Sequence, residues 1–160
     1  MIREATPADV NAIHDMIVEL AVYEKEPDAV LATPADLERN LFGDSPALFG
    51  HIAEDADGNV VGFALWFLNY STWLGTHGIY LEDLYVKPVA RGAGHGVALL
   101  STLASICVDR GYGRLEWWVL NWNSPARGFY ESIGAQALTE WIPYRVTGEQ
   151  LEALADQLRS

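Results

Sequence analysis

The sequence predicts an α/β protein in which helices flank one mixed β-sheet. Strand-like and helix-like hydrophobic patterns alternate along all 160 residues, with no linker, repeat or low-complexity tract between them. Residues 78–86 form a strand-like pattern that runs through a glycine loop into a helical pattern over residues 94–110. Residues 114–120 carry apolar side chains on both faces, which is typical of a strand inside a sheet. The length suits a single domain, residues 1–160, around one core.

Capping and turn residues mark the remaining elements. The first helix begins at Thr6, and the second begins at Thr33 and ends near Phe42. Each start has proline in the next position, where its fixed φ and missing N–H suit a first helical turn. The other predicted elements are a short strand over 1–5, strands over 47–54 and 60–69 joined by a turn at 55–59, a helix over 123–133, a closing hairpin or long strand over 135–146, and a last helix from Thr147.

Charge and composition narrow the classes of partner. The chain has 22 acidic and 10 basic residues, a formal net charge of −12, which argues against nucleic acid or an anionic membrane as partner. It suits a cationic small molecule, although a solvated acidic surface gives the same balance. No apolar run approaches the ~20 residues that span a bilayer, and no signal peptide is expected. With Cys107 as the one cysteine and no ligand spacing among the histidines, we expect a cytoplasmic protein without a metal site.

A glycine loop is the strongest chemical signal. Glycines alternate at positions 92, 94 and 96, directly before the helical pattern. Glycine accepts positive φ and leaves no Cβ in the way of a ligand, and the first turn of a helix offers unpaired N–H groups. Such a loop is a receptor for phosphate or pyrophosphate, and Arg91 adds a cation at its mouth. The loop lacks both the Lys-Ser/Thr ending of a nucleoside-triphosphate P-loop and the spacing of a dinucleotide fingerprint.

The pattern Arg-x-x-Gly-x-Gly over residues 91–96 resembles the coenzyme A loop of the GNAT acetyltransferase superfamily. Residues 123–130, Asn-Ser-Pro-Ala-Arg-Gly-Phe-Tyr, resemble the Asn-x-x-Ala-x-x-Phe-Tyr helix of the same superfamily. Segments 20–24, 70–75, 80–83 and 122–125 are similar to its diamine (spermidine/spermine-type) and thialysine acetyltransferase branch. The resemblance covers nearly the whole chain and is weakest after Ala137; Gly128 replaces a larger residue of that branch.

This resemblance implies the GNAT fold, a mixed sheet of six to seven strands that splays between its central parallel strands. It implies acetyl-CoA as cofactor and a homodimer with acceptor sites near the subunit boundary. The residues that it assigns to the cofactor are Leu84, Tyr85, Val86, Arg91, Gly92, Ala93, Gly94, His95, Gly96, Asn123, Ala126 and Tyr130. A backbone N–H of residues 84–86 would polarise the thioester carbonyl.

The same resemblance assigns the chemistry and the acceptor. Tyr130 is the candidate general acid beside the departing thiolate, because a phenol can donate a proton. Glu82 is the candidate base, or only a binder of the cation; Asp83, its neighbour in a strand, should face the other side of the sheet. The expected acceptor-binding residues are Tyr23, Glu24, Trp73, Glu82, Asp83 and Glu140.

The predicted function is an acetyl-CoA-dependent N-acetyltransferase for the primary amine of a small cationic acceptor, such as a diamine, a polyamine or thialysine. Direct attack in a ternary complex suffices, because the thioester is already activated. Two alternatives stay open. One keeps the chemistry with a protein or antibiotic amine as acceptor. The other is a non-enzymatic acyl-CoA-binding sensor, against which the presence of Tyr130 and Glu82 argues.

Overall fold

Five β-strands form the sheet of the computed structural model, which describes residues 1–159. They are β1 (Ile2–Glu4), β2 (Phe49–Glu54), β3 (Val60–Ser71), β4 (Thr76–Val86) and β5 (Leu115–Glu116). The strands lie side by side in chain order, and every neighbouring pair is antiparallel except β4 and β5, which are parallel. The predicted mixed sheet flanked by helices is confirmed, with five strands instead of six to seven.

The described residues 1–159 also form five α-helices. They are α1 (Val10–Tyr23), α2 (Pro34–Phe42), α3 (His95–Arg110), α4 (Ser124–Ser132) and α5 (Gly148–Asp156). The chain divides into two compact units: Met1–Trp122 contains the sheet with α1, α2 and α3, and Asn123–Ser160 contains α4 and α5. Helices begin close to where the capping residues predict; the first, for example, opens with a short 3-10 turn at Pro7–Asp9.

The core of the first unit lies on both faces of the sheet. Helices α1 and α2 cover one face, where a buried cluster combines Val10, Ile13, Met16, Leu37, Leu41, Ile52, Phe63, Leu65 and Tyr85. Helix α3 packs on the other face and buries Leu99, Leu100, Leu103 and Cys107. Burial also raises the pKa of the Cys107 thiol, as expected for an inert core cysteine.

The strand predicted over residues 114–120 is much shorter than its apolar pattern suggests. Only Leu115 and Glu116 pair with β4, and β5 is the last strand of the sheet. Beyond Glu116 the backbone leaves β4, and Trp118 is 61% exposed. The prediction of a strand in the sheet interior is therefore wrong, because apolar side chains on two faces do not guarantee a hydrogen-bonding neighbour on two edges.

The closing hairpin predicted over residues 135–146 is also absent. This segment is a turn and irregular chain, and its large apolar side chains at Trp141, Ile142 and Tyr144 are exposed. A strand pairs its backbone with a neighbouring strand, and within residues 1–159 no strand of the sheet pairs with residues 135–146. The absence of this hairpin explains much of the difference between the five strands observed and the six to seven predicted.

Candidate active site

Strand β4 has one paired edge and one largely open edge. It pairs with β3 over residues 76–86, but with β5 only at Ile79 and Tyr80. Along residues 81–86, no strand of the described chain pairs with the second edge. The two parallel strands therefore part after Tyr80, which confirms the predicted splay.

Backbone alternation shows which groups line the open edge. The N–H of Lys87 donates to the carbonyl of Val61 in β3, at 2.8 Å. Since the N–H and C=O groups of alternate residues point to opposite edges of a strand, those of Leu84 and Val86 point away from β3. In agreement, the Val86 carbonyl accepts a hydrogen bond from outside the sheet, from Nε of Arg91 at 3.0 Å. These are the residues expected to contact the cofactor.

A β-bulge lies directly before this open edge. Leu65 of β3 pairs with Asp83, whereas the next residue, Trp66, pairs with Leu81, so Glu82 is the extra residue. A bulge of this kind bends the strand and redirects a side chain.

The bulge changes which face of the sheet Asp83 occupies relative to Tyr80. Leu65 and Phe67 are two residues apart in β3 and share the face covered by α1 and α2. Asp83 pairs with Leu65, and the Tyr80 ring lies 5.1 Å from that of Phe67. Tyr80 and Asp83 therefore share this face although they are three residues apart. The expectation that Glu82 and Asp83 face opposite sides assumes a regular strand, which the bulge at Glu82 interrupts, and it stays a prediction.

A cluster of carboxyl groups forms where the bulge faces the end of α1. Asp83 is half-buried there, and desolvation raises its pKa to about 7; repulsion from Glu82 and Glu24 adds to the increase. Glu24 follows the last residue of α1, and burial raises its pKa too. Glu82 is exposed at the bulge. The three groups offer negative charge to a cation, and Asp83 can exchange a proton near neutral pH.

The glycine loop joins the open edge of β4 to α3. Gly92 and Gly94 have φ of +82° and +84°, which a side chain rarely tolerates, although a Cβ at either would meet no atom within 4 Å. Helix α3 begins at His95, so the unpaired amides of its first turn follow the loop. His95 and Ala93 also line an open cavity of about 700 Å³ beside the turn between β2 and β3.

Arg91 connects the loop to the end of α1. Its guanidinium carbon lies 5.4 Å from the ring centre of Tyr23 and 5.7 Å from that of Tyr85. The Tyr85 hydroxyl donates to Glu19 of α1 at 2.9 Å. Tyr23 and Glu24, predicted to bind the acceptor, are thus brought beside the predicted cofactor loop. No sequence pattern predicts the hydrogen bond between Glu19 and Tyr85, or the contacts of Arg91 with the two tyrosine rings.

Trp73 lies far from Glu82 along β4. It lies in the turn between β3 and β4 and is 82% exposed. Six or more residues of β4, about 20 Å of strand, separate this turn from Glu82.

The remaining candidates belong to the second unit. Asn123 caps α4 by accepting a hydrogen bond from the Ala126 N–H through Oδ1, at 3.4 Å. Tyr130 lies near the end of α4, and Glu140 lies in the exposed segment that follows. Their assignment to the cofactor and acceptor stays a prediction.

Metal sites and membrane-spanning helices are both absent from residues 1–159. No group of His, Cys, Asp or Glu side chains within residues 1–159 could hold a metal ion. No helix of that range has the length and apolarity to cross a membrane.

Comparison with known proteins identifies relatives over most of the chain. A family model described as the acetyltransferase (GNAT) family matches residues 11–135. The thialysine N-epsilon-acetyltransferase of Bos taurus is 41% identical over 97% of this chain and 96% of the relative. The L-ornithine N5-acetyltransferase NATA1 of Arabidopsis thaliana is 34% identical over 96% of this chain and 86% of the relative.

Solved structures agree with this assignment. An integron cassette protein from the mobile metagenome of V. cholerae superimposes with a TM-score of 0.79 at 29% identity, covering 97% of this chain and 96% of that one. Taken with the open edge of β4 and the glycine loop before α3, these matches show that the chain belongs to the GNAT family of N-acetyltransferases.

Proposed function

We propose that the protein transfers the acetyl group of acetyl-CoA to the primary amine of a small cationic acceptor, a diamine, a polyamine or a diamino acid such as thialysine. The observation that carries this proposal is the arrangement around β4. An open backbone edge, a phosphate-type loop and two of the three carboxylates of the cluster lie within 16 residues, 81–96, of one strand and its loop. The names of the bovine and Arabidopsis relatives, which act on thialysine and ornithine, support an amine acceptor.

The residues present fit coenzyme A. The outward N–H and C=O groups of Leu84 and Val86 suit the amides of its pantetheine arm, and the loop from Arg91 to Gly96 suits its diphosphate. When bound, acetyl-CoA supplies a thioester that is already activated, so no nucleophile of the protein is needed. We expect Tyr85, Asn123, Ala126 and Tyr130 also to contact the cofactor.

The carboxylate cluster binds and deprotonates the acceptor in this proposal. An alkylammonium has a pKa near ~10.4, so it must lose a proton before it attacks. Asp83, with its pKa raised to about 7, accepts that proton directly or through water. Glu82 and Glu24 attract the ammonium, and Tyr23 offers an aromatic face beside it. Glu82 remains the alternative base.

Tyr130 is proposed as the general acid that protonates the leaving thiolate. Trp73 and Glu140 are proposed as weaker acceptor contacts. The resemblance to the diamine branch also supports a homodimer, and the single buried Cys107 suits a reducing, cytoplasmic setting.

The direct test is incubation with acetyl-CoA and a panel of amines, with free thiol measured over time. We expect thiol release with small diamines or diamino acids, and little with aminoglycosides or peptides that carry a free N-terminus. Release only with peptides or antibiotics would favour the alternative acceptors. Coenzyme binding without release for any amine would favour a sensor and contradict the proposal.

The role of Tyr130 is tested by Tyr130→Phe. Loss of the phenolic proton should reduce kcat by about 100-fold, the usual contribution of a general acid, while calorimetry shows an almost unchanged Kd for acetyl-CoA. Tyr144→Phe is the matched control, because Tyr144 lies in the same unit and is 92% exposed. Full activity of Tyr130→Phe would remove this tyrosine from the mechanism.

The pH dependence of kcat/KM tests the base. Because Asp83 must be deprotonated to act, kcat/KM should fall about tenfold per pH unit below the pKa of about 7. Asp83→Asn should abolish this fall at low pH and should lower the plateau of kcat/KM at high pH about 100-fold. The control Asp57→Asn, at an exposed turn, should leave the profile unchanged.

The variant Glu82→Gln distinguishes the two carboxylates. Removing its negative charge lowers the pKa of Asp83, so the acid limb should move to lower pH with its plateau kept. A plateau about 100-fold lower, with the limb lost, would instead make Glu82 the base. An Asp83→Asn profile identical to that of the wild type would rule out Asp83.

A further inference from the structure

We propose that Lys25 binds the α-carboxylate of the acceptor and thereby selects diamino acids over diamines of the same length. The inference rests on the proposed function, since it assumes that an amine is acetylated beside Glu24 and Asp83. It adds a specificity-determining residue on the opposite side of the acceptor from the reacting amine.

The backbone at Lys25 is the first observation. Lys25 has φ of +65°, and it is the one non-glycine residue of the described chain with positive φ. A residue with a Cβ disfavours this conformation, and glycine usually occupies it at a helix end. Here the Lys25 N–H donates to the Val22 carbonyl at 3.1 Å, which helps to close α1. A lysine in place of glycine suggests that its side chain is useful.

The side chain of Lys25 is the second observation. Its Nζ lies 4.1 Å from the ring centre of Trp122, a cation–π contact. The Trp122 ring is in turn 6.2 Å from that of Tyr23, which also stacks with Arg91. The ammonium is therefore held at the predicted acceptor site, against the aromatic ring next to Tyr23.

The ammonium keeps its capacity to bind an anion. No carboxylate within residues 1–159 lies within ion-pair distance of Lys25. A cation–π contact occupies one side of the ammonium, which leaves N–H donors for a carboxylate. Glu26 and Asp28 follow in the same turn, but both are exposed, so water and salt screen their charges.

The end of α1 thus presents a negative charge, on Glu24, and a positive charge, on Lys25, to an acceptor. Glu24 lies close enough to Asp83 to raise its pKa electrostatically, and the next residue, Lys25, places its positive charge on Trp122. A diamino acid matches this pattern, with its side-chain ammonium at the carboxylate cluster and its α-carboxylate at Lys25. A diamine brings its second ammonium toward Lys25 without a carboxylate to offset the repulsion. A hydrogen bond between charged groups at a partly exposed site changes affinity by about tenfold or somewhat more.

Two pairs of acceptors isolate the α-carboxylate. L-Ornithine and putrescine differ by that group alone, and so do L-lysine and cadaverine. We expect the wild-type protein to have the higher kcat/KM for the amino acid of each pair. Lys25→Gln should reduce the amino acid to diamine ratio about tenfold, mainly through the KM of the amino acid. Lys25→Arg keeps the charge and should keep most of the preference.

Two further variants serve as controls. Lys25→Gly removes the side chain while fitting the positive φ, so it tests the same contact without a risk to folding. It should behave like Lys25→Gln. Arg39→Gln removes one positive charge from an exposed position on α2 and should leave the ratio unchanged.

The outcomes separate the two proposals. An unchanged ratio in active Lys25→Gln and Lys25→Gly variants would overturn the role of Lys25 and leave the acetyltransferase proposal intact. A preference of the wild-type protein for the diamines would also overturn the role of Lys25. Absence of acetylation with all four acceptors, together with the rest of the amine panel, would overturn both.

Discussion

The β-bulge at Glu82 is the feature on which the geometry of the site depends. An extra residue in β4 shifts the pairing with β3, so that Asp83 shares a face with Tyr80 and approaches Glu24 at the end of α1. Just before this point β4 loses its pairing with β5, and its second edge opens. The bulge therefore lies beside both the carboxylate cluster proposed to bind the amine and the open backbone edge proposed to bind the cofactor.

The end of α1 is the second determinant, because it brings side chains from distant parts of the chain together. Arg91 stacks on Tyr23 and Tyr85 while its Nε holds the Val86 carbonyl, so the glycine loop and the helix end share contacts. A change in the glycine loop that moves Arg91 would also change the contacts of Tyr23, which lies next to Glu24 and Lys25. The proposed cofactor and acceptor sites are therefore physically connected, as the proposed ternary complex requires.

Sequence reasoning predicts the parts of this protein that depend on local chemistry. Proline after Thr6 and Thr33, glycine at 92 and 94, and the run from β4 into α3 all reflect backbone requirements that the residues themselves impose. The failures concern pairing between distant segments. Residues 117–120 and 135–146 have strand-like patterns, yet in the described chain neither finds a neighbouring strand. A pattern specifies which faces are apolar, not which edge finds a partner.

The candidate site shows the same division. Motif resemblance predicts that Glu82, Asp83 and the residues of the loop belong to the site. Strict alternation of side chains, however, predicts opposite faces for the two carboxylates. Only the register with β3 shows the bulge, because Leu65 and Trp66 skip one residue of β4. The sequence also does not predict the positive φ of Lys25. Nor does it predict the contact of Lys25 with Trp122, because the two residues lie 97 positions apart.

A crystal structure of the protein with coenzyme A tests the central claim most directly. We expect the pantetheine amides to hydrogen-bond to the backbone of Leu84 and Val86, with the diphosphate at the amides of residues 92–96. Coenzyme A bound away from the open edge of β4 and from the amides of residues 92–96 would contradict the account. A strand of the protein paired along residues 81–86 in the presence of coenzyme A would contradict it equally.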